Sequence, residues 1–273
     1  MTTEVVSRTA TVVVIGEPDR LKEGAAALEQ SGDASTVRAI LISTGDDPAP
    51  ALREEEHAIV LEGLQPQFVN NAVAALRLSS LPTLVWWRGG DPRRLAGLAA
   101  LADRVVLDDE DAQPMWREAV SLFDRSAFSD LRWTRLTRWR ALMAGFFDIP
   151  EVRSAAYSTL EIDGSDAYAA RLFSGWMHTS LGWNDHVVLE HRVISETPIR
   201  AIRLRGKGGP DLVLELASSG TCMKAAARLP GRADAVRTVP LADQSLSALI
   251  AEELRVRARD QSFERALLHA LAP

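Results

Sequence analysis

The chain has a single cysteine, Cys222, among 273 residues. That excludes an intrachain disulfide and any zinc site built from a cysteine cluster, and it suits a reducing compartment. Long apolar runs are missing too. Thr9 to Gly16 is too short for a signal segment with its flanks, and nothing elsewhere approaches a membrane span. A cytoplasmic protein without a membrane partner is the expectation. Positive charge is in deficit: 31 Lys and Arg face 37 Asp and Glu, for a net charge of −6. That balance argues against duplex DNA or an anionic lipid surface as a partner. Catalytic signatures are equally scarce, with no P-loop and no Gly-x-Ser-x-Gly elbow. The loop Gly16-Glu17-Pro18-Asp19-Arg20 has one glycine where a dinucleotide site needs several, and its acids would repel phosphate. The histidines His57, His178, His186, His191 and His269 include no i, i+4 pair for a metal. No cofactor is expected.

What is present is an ordinary globular balance, 47% hydrophobic and 25% charged. Strand and helix patterns alternate through the first 125 residues. Strands are expected at Thr9 to Ile15, Thr36 to Ser43, Ala58 to Leu64, Thr83 to Trp87 and Arg104 to Leu107. Helices are expected at Pro18 to Gln30, Gln67 to Leu78, Asp91 to Leu101 and Met115 to Phe123, with Asp91 and Pro92 as cap and first helical position. The helix after Pro66 should turn Phe68, Ala72, Ala75 and Leu76 inward, and Asp46 to Glu56 reads as a solvated loop. Thr83 to Trp87 is apolar throughout, as in a parallel strand covered on both faces, so Trp86 and Trp87 should enter different helix layers.

After Phe128 the pattern changes. Thr137 can cap a helix with Trp139, Leu142, Met143, Phe146 and Phe147 on one buried stripe. A strand near Ala156 to Ile162 and a helix from Ser165 or Asp166 to Leu181 follow. Strands at Asn184 to Ile194, Ile199 to Arg205, Leu212 to Ala217, Thr221 to Leu229 and Ala235 to Val239 come next, then helices at Asp243 to Arg257 and Gln261 to Leu271. The expected fold class is α/β: a Rossmann-like doubly wound N-terminal domain over 1–126, then an α+β C-terminal domain over 127–273 with a mostly antiparallel sheet.

Five of the seven tryptophans lie between Leu81 and Asp148. Arg88 follows a central strand at its carboxyl end, where open α/β sheets place ligands. It can meet a carboxylate or phosphate bidentately, or simply pair with a helix-capping acid such as Asp91. Asp109 and Asp111 follow the next strand, as metal-binding carboxylates do in nucleotide-sugar transferases, yet acids at helix N-termini are common for dipole reasons alone. Arg132, Arg135, Arg138 and Arg140 interleave with Trp133 and Trp139. Such a segment can stack on single-stranded nucleic acid, dock an acidic protein surface, or tie two domains together. Trp139 falls on the buried stripe.

Two motifs are more specific. Leu81-Pro82-Thr83-Leu84-Val85-Trp86-Trp87-Arg88-Gly89 and Trp133-Thr134-Arg135-Leu136-Thr137-Arg138-Trp139-Arg140 closely resemble the glucose-6-phosphate dehydrogenase assembly protein family, OpcA. Gly175-Trp176 and Leu181-Gly182-Trp183 fit the same pattern, so the resemblance spans most of the chain. It implies a non-enzymatic protein that binds glucose-6-phosphate dehydrogenase, promotes its oligomeric assembly and activates it allosterically, at the entry to the oxidative pentose phosphate pathway. Arg88, Arg132, Trp133, Arg135 and Arg140 are then the candidate partner contacts, with Trp86, Trp87 and Trp139 assigned to the core. Arg138 stands where the family usually has proline, a tolerable exchange at the start of a helix. Some members are linked to thioredoxin-dependent redox control, which needs a dithiol that Cys222 alone does not supply. The competing expectation is a nucleotide-sugar-dependent glycosyltransferase-like enzyme using Asp109 and Asp111.

Overall fold

The computed structural model describes residues 8–45, 50–55, 58–183, 187–206, 208–256 and 258–272. His57, His186 and parts of the expected acid-rich loop and of the expected strand from Asn184 lie outside them. Two compact units emerge, one of Met1–Thr134 with Gln244–Glu264, the other of Arg135–Asp243 with Arg265–Pro273.

In the first unit the β-branched run Ala10–Gly16 forms strand β1, fully buried from its second residue. Its apolar neighbours Val37–Thr44 (β2), Ala58–Leu64 (β4) and Thr83–Trp87 (β5) pair with it or with one another in parallel. Arg104–Leu107 (β6) and Ala127–Asp130 (β7) extend that ladder. An antiparallel edge strand, Ala51–Glu54 (β3), pairs with β4. The order is β3-β4-β2-β1-β5-β6-β7. Leaving the edge strand aside, the chain starts in the middle and winds outward both ways, the doubly wound arrangement that leaves a crevice between β1 and β5 at their carboxyl ends.

Pro18–Gln30 (α1) uses Pro18 at its first position and turns Leu21, Gly24, Ala27 and Leu28 inward. They pack with Val12, Val14, Leu84 and Trp86 of the sheet and with Leu249 and Ile250 of Leu246–Arg255 (α9). Trp87, the next residue along β5, points away from Trp86 and is also buried. Val69–Leu76 (α2), Leu95–Ala99 (α3) and Ala112–Val120 (α4) pack in a row.

Several expectations need correction. Ala51–Glu54 is a strand rather than loop, every residue exposed, and Arg53 pairs with Glu62 of β4 at 2.6 Å. The buried stripe of α2 is Val69 and Val73, whereas Phe68 is 47% exposed. An extra strand, β7, and a short helix, Leu131–Arg135 (α5), occupy a stretch in which neither was expected. The expected boundary at 126/127 therefore falls just before the last parallel strand, and α9 joins the first unit. Thr137 is the first residue of Thr137–Phe146 (α6), with no side-chain cap on the helix.

In the second unit α6 buries Trp139, Leu142, Met143 and Phe146 of the expected stripe, whereas Phe147 lies just past the helix end and is only half-buried. Pro150–Arg153 (α7) follows. Ala167–Leu181 (α8) is capped by the Asp166 carboxylate on the Ala169 N–H and ends at Gly182, whose φ of 61° is the left-handed turn that favours glycine. The second sheet has the order β13-β12-β11-β10-β8-β9, from Thr159–Asp163 (β8), Val188–Arg192 (β9), Ala201–Arg205 (β10), Asp211–Leu216 (β11), Cys222–Arg228 (β12) and Ala235–Pro240 (β13). Among the described residues of this sheet, only β8 and β9 run parallel. Leu160, Ile162, Ile202, Leu204, Leu212 and Leu214 are buried. The alternating positions carry Arg192, Arg203 and Arg205 on the carboxylates of Glu161 and Asp163. Gln261–Ala270 (α10) is divided between the units, its residues to Glu264 counting with the first and those from Arg265 with the second.

Candidate functional site

The carboxyl ends of the parallel strands gather the chain's most specific segments. β5 ends at Trp87, so Arg88 emerges beside Gly16 at the end of β1, with the Arg88 N–H donating to Ile15 O at 2.7 Å. The Arg88 side chain then turns inward and is 4% exposed. Its Nε donates to Asp108 Oδ2 at 2.8 Å, one terminal nitrogen reaches Glu23 Oε2 at 3.3 Å, and the other donates to the Arg20 carbonyl. The guanidinium carbon sits 5.0 Å from the Trp86 ring centroid, a cation–π contact. Arg88 is thus an ion-paired interior group. Its acids are Asp108 and Glu23; Asp91 instead pairs with Arg93 at 3.0 Å and caps its own short helix.

The acid run Asp108 to Asp111 joins the two tryptophan-bearing segments. Asp108 takes Arg88 from the first. From the second, Arg132 donates to Asp109 O at 2.8 Å and Glu110 O at 3.2 Å. Arg20 reaches the same run from α1, bonding Glu110 Oε1 at 2.9 Å and the Asp108 carbonyl. Burial pushes the half-buried Asp109 carboxyl above its ordinary range, offset only in part by the Asp111 N–H, Arg20, the Trp87 indole and Arg132. Asp109 Oδ1 accepts the Asp111 N–H at 3.3 Å, the local turn of an acid before a helix. Among the described residues no group of three His, Cys, Asp or Glu is placed to hold a metal ion.

The second segment is positioned from below. Asp130, fully buried at the end of β7, accepts the Arg132 N–H at 2.8 Å and the Trp116 indole N–H at 2.8 Å. Trp133 is 3% exposed. Its indole donates to Asp260 Oδ2 at 2.8 Å and its ring lies 5.7 Å from that of Phe263. Thr134 donates to Glu253, a carboxylate that also takes Arg104 and Ser129.

Of the five expected contact residues, then, Arg88 and Trp133 are inside the fold, so neither presents the solvent-facing group expected of it. Arg132 is 12% exposed in its side chain. Arg135 and Arg140 are half-buried in the second unit, Arg140 bonding Thr137 Oγ1 at 3.4 Å. The tryptophans expected in the core, Trp86, Trp87 and Trp139, are all buried.

Sequence reasoning missed Asp108, Asp130, Glu253 and Asp260. Glu253 had a signal, since it falls on the buried stripe of α9 with Leu249 and Ile250, where a charge requires a partner. The histidines hold one surprise: His178 and His269 stack with ring centroids 4.4 Å apart, both within the second unit.

Comparison with solved structures places the fold. A 3-ketoreductase from Actinomadura kijaniata, solved with NADP, superposes with a TM-score of 0.55 at 9% identity, covering 97% of this chain and 95% of that one. An oxidoreductase from Bacillus subtilis gives 0.54 at 12% identity, covering 98% and 95%. At such identities the likeness is one of fold alone. The OxPP cycle protein OpcA of Synechocystis sp. is 28% identical over 127 residues, 42% of this chain. The match spans 26% of that relative's length. A family model for the C-terminal domain of the glucose-6-phosphate dehydrogenase subunit OpcA matches residues 126–267, more than half of the chain and the whole of the Trp133 to Arg140 motif. The chain belongs to the glucose-6-phosphate dehydrogenase assembly protein (OpcA) family.

Proposed function

We propose that this chain is a non-enzymatic cytoplasmic assembly factor that binds glucose-6-phosphate dehydrogenase, favours its active oligomer and so raises its activity allosterically. The observation that carries this reading is the family match over residues 126–267, which contains the arginine-rich segment. A regulator of this kind must bind the active assembly more tightly than the inactive one, because equal affinity for both shifts nothing. Arg132, Arg135 and Arg140 are the proposed contacts with an acidic surface of the dehydrogenase. Arg88 and Trp133 act behind them, Arg88 by holding the acid run on which Arg132 rests and Trp133 by pinning α5. Nucleic acid and membrane have no part in this reading. The glycosyltransferase alternative has less support, since the Asp109 carboxylate engages the Asp111 N–H within its own turn, as an acid before a helix does.

The test is to mix the chain at micromolar concentration with the dehydrogenase of its own host, following NADP reduction and particle mass together. A rise in both is expected. If neither changes, the proposal is wrong.

A further inference from the structure

The doubly wound fold implies a dinucleotide in the crevice outside β1 and β5, and the residues present there do not fit one. We infer that this crevice has been turned into an internal ion cluster, in which Arg88 fills the space beneath α1 and no nicotinamide dinucleotide is accepted. This inference is independent of the dehydrogenase reading and stands or falls without it.

Three observations carry it. A pyrophosphate needs open backbone N–H groups at a helix N-terminus and glycines that let the chain approach. Here α1 opens with Glu17 at the cap position and Pro18, which has no N–H, as its first residue. Asp19 follows in the first turn, so the positive end of the helix already faces the chain's own carboxylates.

The glycines that do occur make room for an arginine. A Cβ built on Gly16 would lie 3.2 Å from Arg88 Cβ. One built on Gly24 would lie 3.2 Å from Arg88 Cδ and 3.3 Å from a terminal nitrogen. The side chain therefore runs from the end of β5 beneath the first two turns of α1.

Finally, the guanidinium is committed to Asp108, Glu23 and the Arg20 carbonyl, so it is not offered to an anion from solvent. Arg20 is likewise engaged by Glu110 and Asp108. Leaving aside Asp19, which pairs with Lys22, the acids Glu17, Glu23, Asp108, Asp109 and Glu110 outnumber Arg20, Arg88 and Arg132 around the crevice, a field that repels a dinucleotide.

The experiment has two arms. In the first, NADPH, NADP, NADH and NAD are titrated to about 1 mM against the purified full chain, following Tm for all four and nicotinamide fluorescence for the two reduced forms; that ceiling covers ordinary cellular ligand sites. No saturable signal and a Tm change below about 1 °C are expected, because a ligand selective for the folded state would raise Tm by several degrees. Saturable binding overturns the inference. In the second arm Arg88→Met is expected to lower Tm by about 6–12 °C through the uncompensated acids. A wild-type Tm overturns the inference. Where Arg88→Met does not fold, Asp108→Asn is measured instead, with a loss of about 2–6 °C expected and an unchanged Tm again overturning it.

Discussion

Arg104 and Glu253 lie 149 residues apart in the chain, yet Arg104 holds one Glu253 oxygen through Nε at 2.9 Å and a terminal nitrogen at 2.6 Å. Both side chains are buried, 6% and 4% exposed. Ser129 adds a hydrogen bond to the same oxygen at 2.7 Å, and Thr134 caps the other. The pair thus ties β6, β7, α5 and α9 into one polar knot. Removing one ion of a buried, hydrogen-bonded pair leaves the other charge uncompensated. Glu253→Gln should therefore lower stability by about 3–5 kcal/mol. The double change Arg104→Met with Glu253→Leu should cost less than the two single losses added together, because no orphan charge remains. Denaturant unfolding of the wild type, Glu253→Gln, Arg104→Met, Glu253→Leu and the double variant checks this.

Trp133 separates packing from hydrogen bonding. Trp133→Ala empties the space beside Phe263 and should cost about 3–5 kcal/mol. Trp133→Phe keeps most of the ring and orphans Asp260 Oδ2, at about 1–3 kcal/mol. Asp260 also caps α10 through the Ser262 and Phe263 N–H groups, so it stays partly satisfied in either variant. Equal losses for the two variants would contradict the buried placement.

Asp109 sets a pH dependence of a particular sign. Its folded carboxyl titrates above the unfolded value because burial penalises the anion. The folded state then binds more protons than the unfolded one between the two values, so this group's contribution falls as pH rises through that window. Asp109→Asn removes the effect while an oxygen remains to accept the Asp111 N–H. The variant should melt at or above the wild-type temperature at neutral pH, and the advantage should vanish below the ordinary carboxylate range. A Tm series on both proteins from about pH 7 to pH 3 reads this directly.

Asp163 has the opposite sign. Burial alone would raise its carboxyl, but hydrogen bonds from Arg203 and Arg192 outweigh that and hold it below the ordinary range. Its contribution is present above the unfolded value and is lost as pH falls through the depressed folded one. Arg203→Met takes away the 2.5 Å partner, so acid unfolding of the variant should begin at higher pH than in the wild type. Coincident acid limbs would show that Arg192 alone sets the effect.

Charge reversal tests the proposed contacts. Arg135→Glu and Arg140→Glu together should weaken the effect on glucose-6-phosphate dehydrogenase by about tenfold or more, as expected for arginines near an interface centre. Tm should change by no more than a few degrees. An unaltered dose response would remove both residues from the contact set.

Much of the layered half was legible in the chain because buried strands and amphipathic helices impose periods of 2 and 3.6 on apolar residues. Thr83–Trp87 and Ala58–Leu64 match their expected bounds for that reason. Ala127–Asp130 escaped because only Ala127 and Phe128 of its four residues are apolar, and its buried polar members are satisfied by side chains of other elements, Ser129 by Glu253 and Asp130 by Trp116. The site was legible as two segments, and their meeting was not. Nothing in the order of residues links Arg88 and Arg132 to one acid run, since that contact exists only once β5, β6 and β7 lie side by side.

The chain by itself therefore determined the buried strands and amphipathic helices outside β3, β7 and α5, which tryptophans are buried in β5 and α6, and the family to which the motifs point. These follow from local preference and the period of apolar residues, which act along the chain. Tertiary structure alone decided that Arg88 faces inward, that Trp133 anchors a helix from within, and that α9 returns to pack on α1. Each of these depends on a charge or an indole N–H finding its partner across the fold, and burial makes that partner obligatory without naming it.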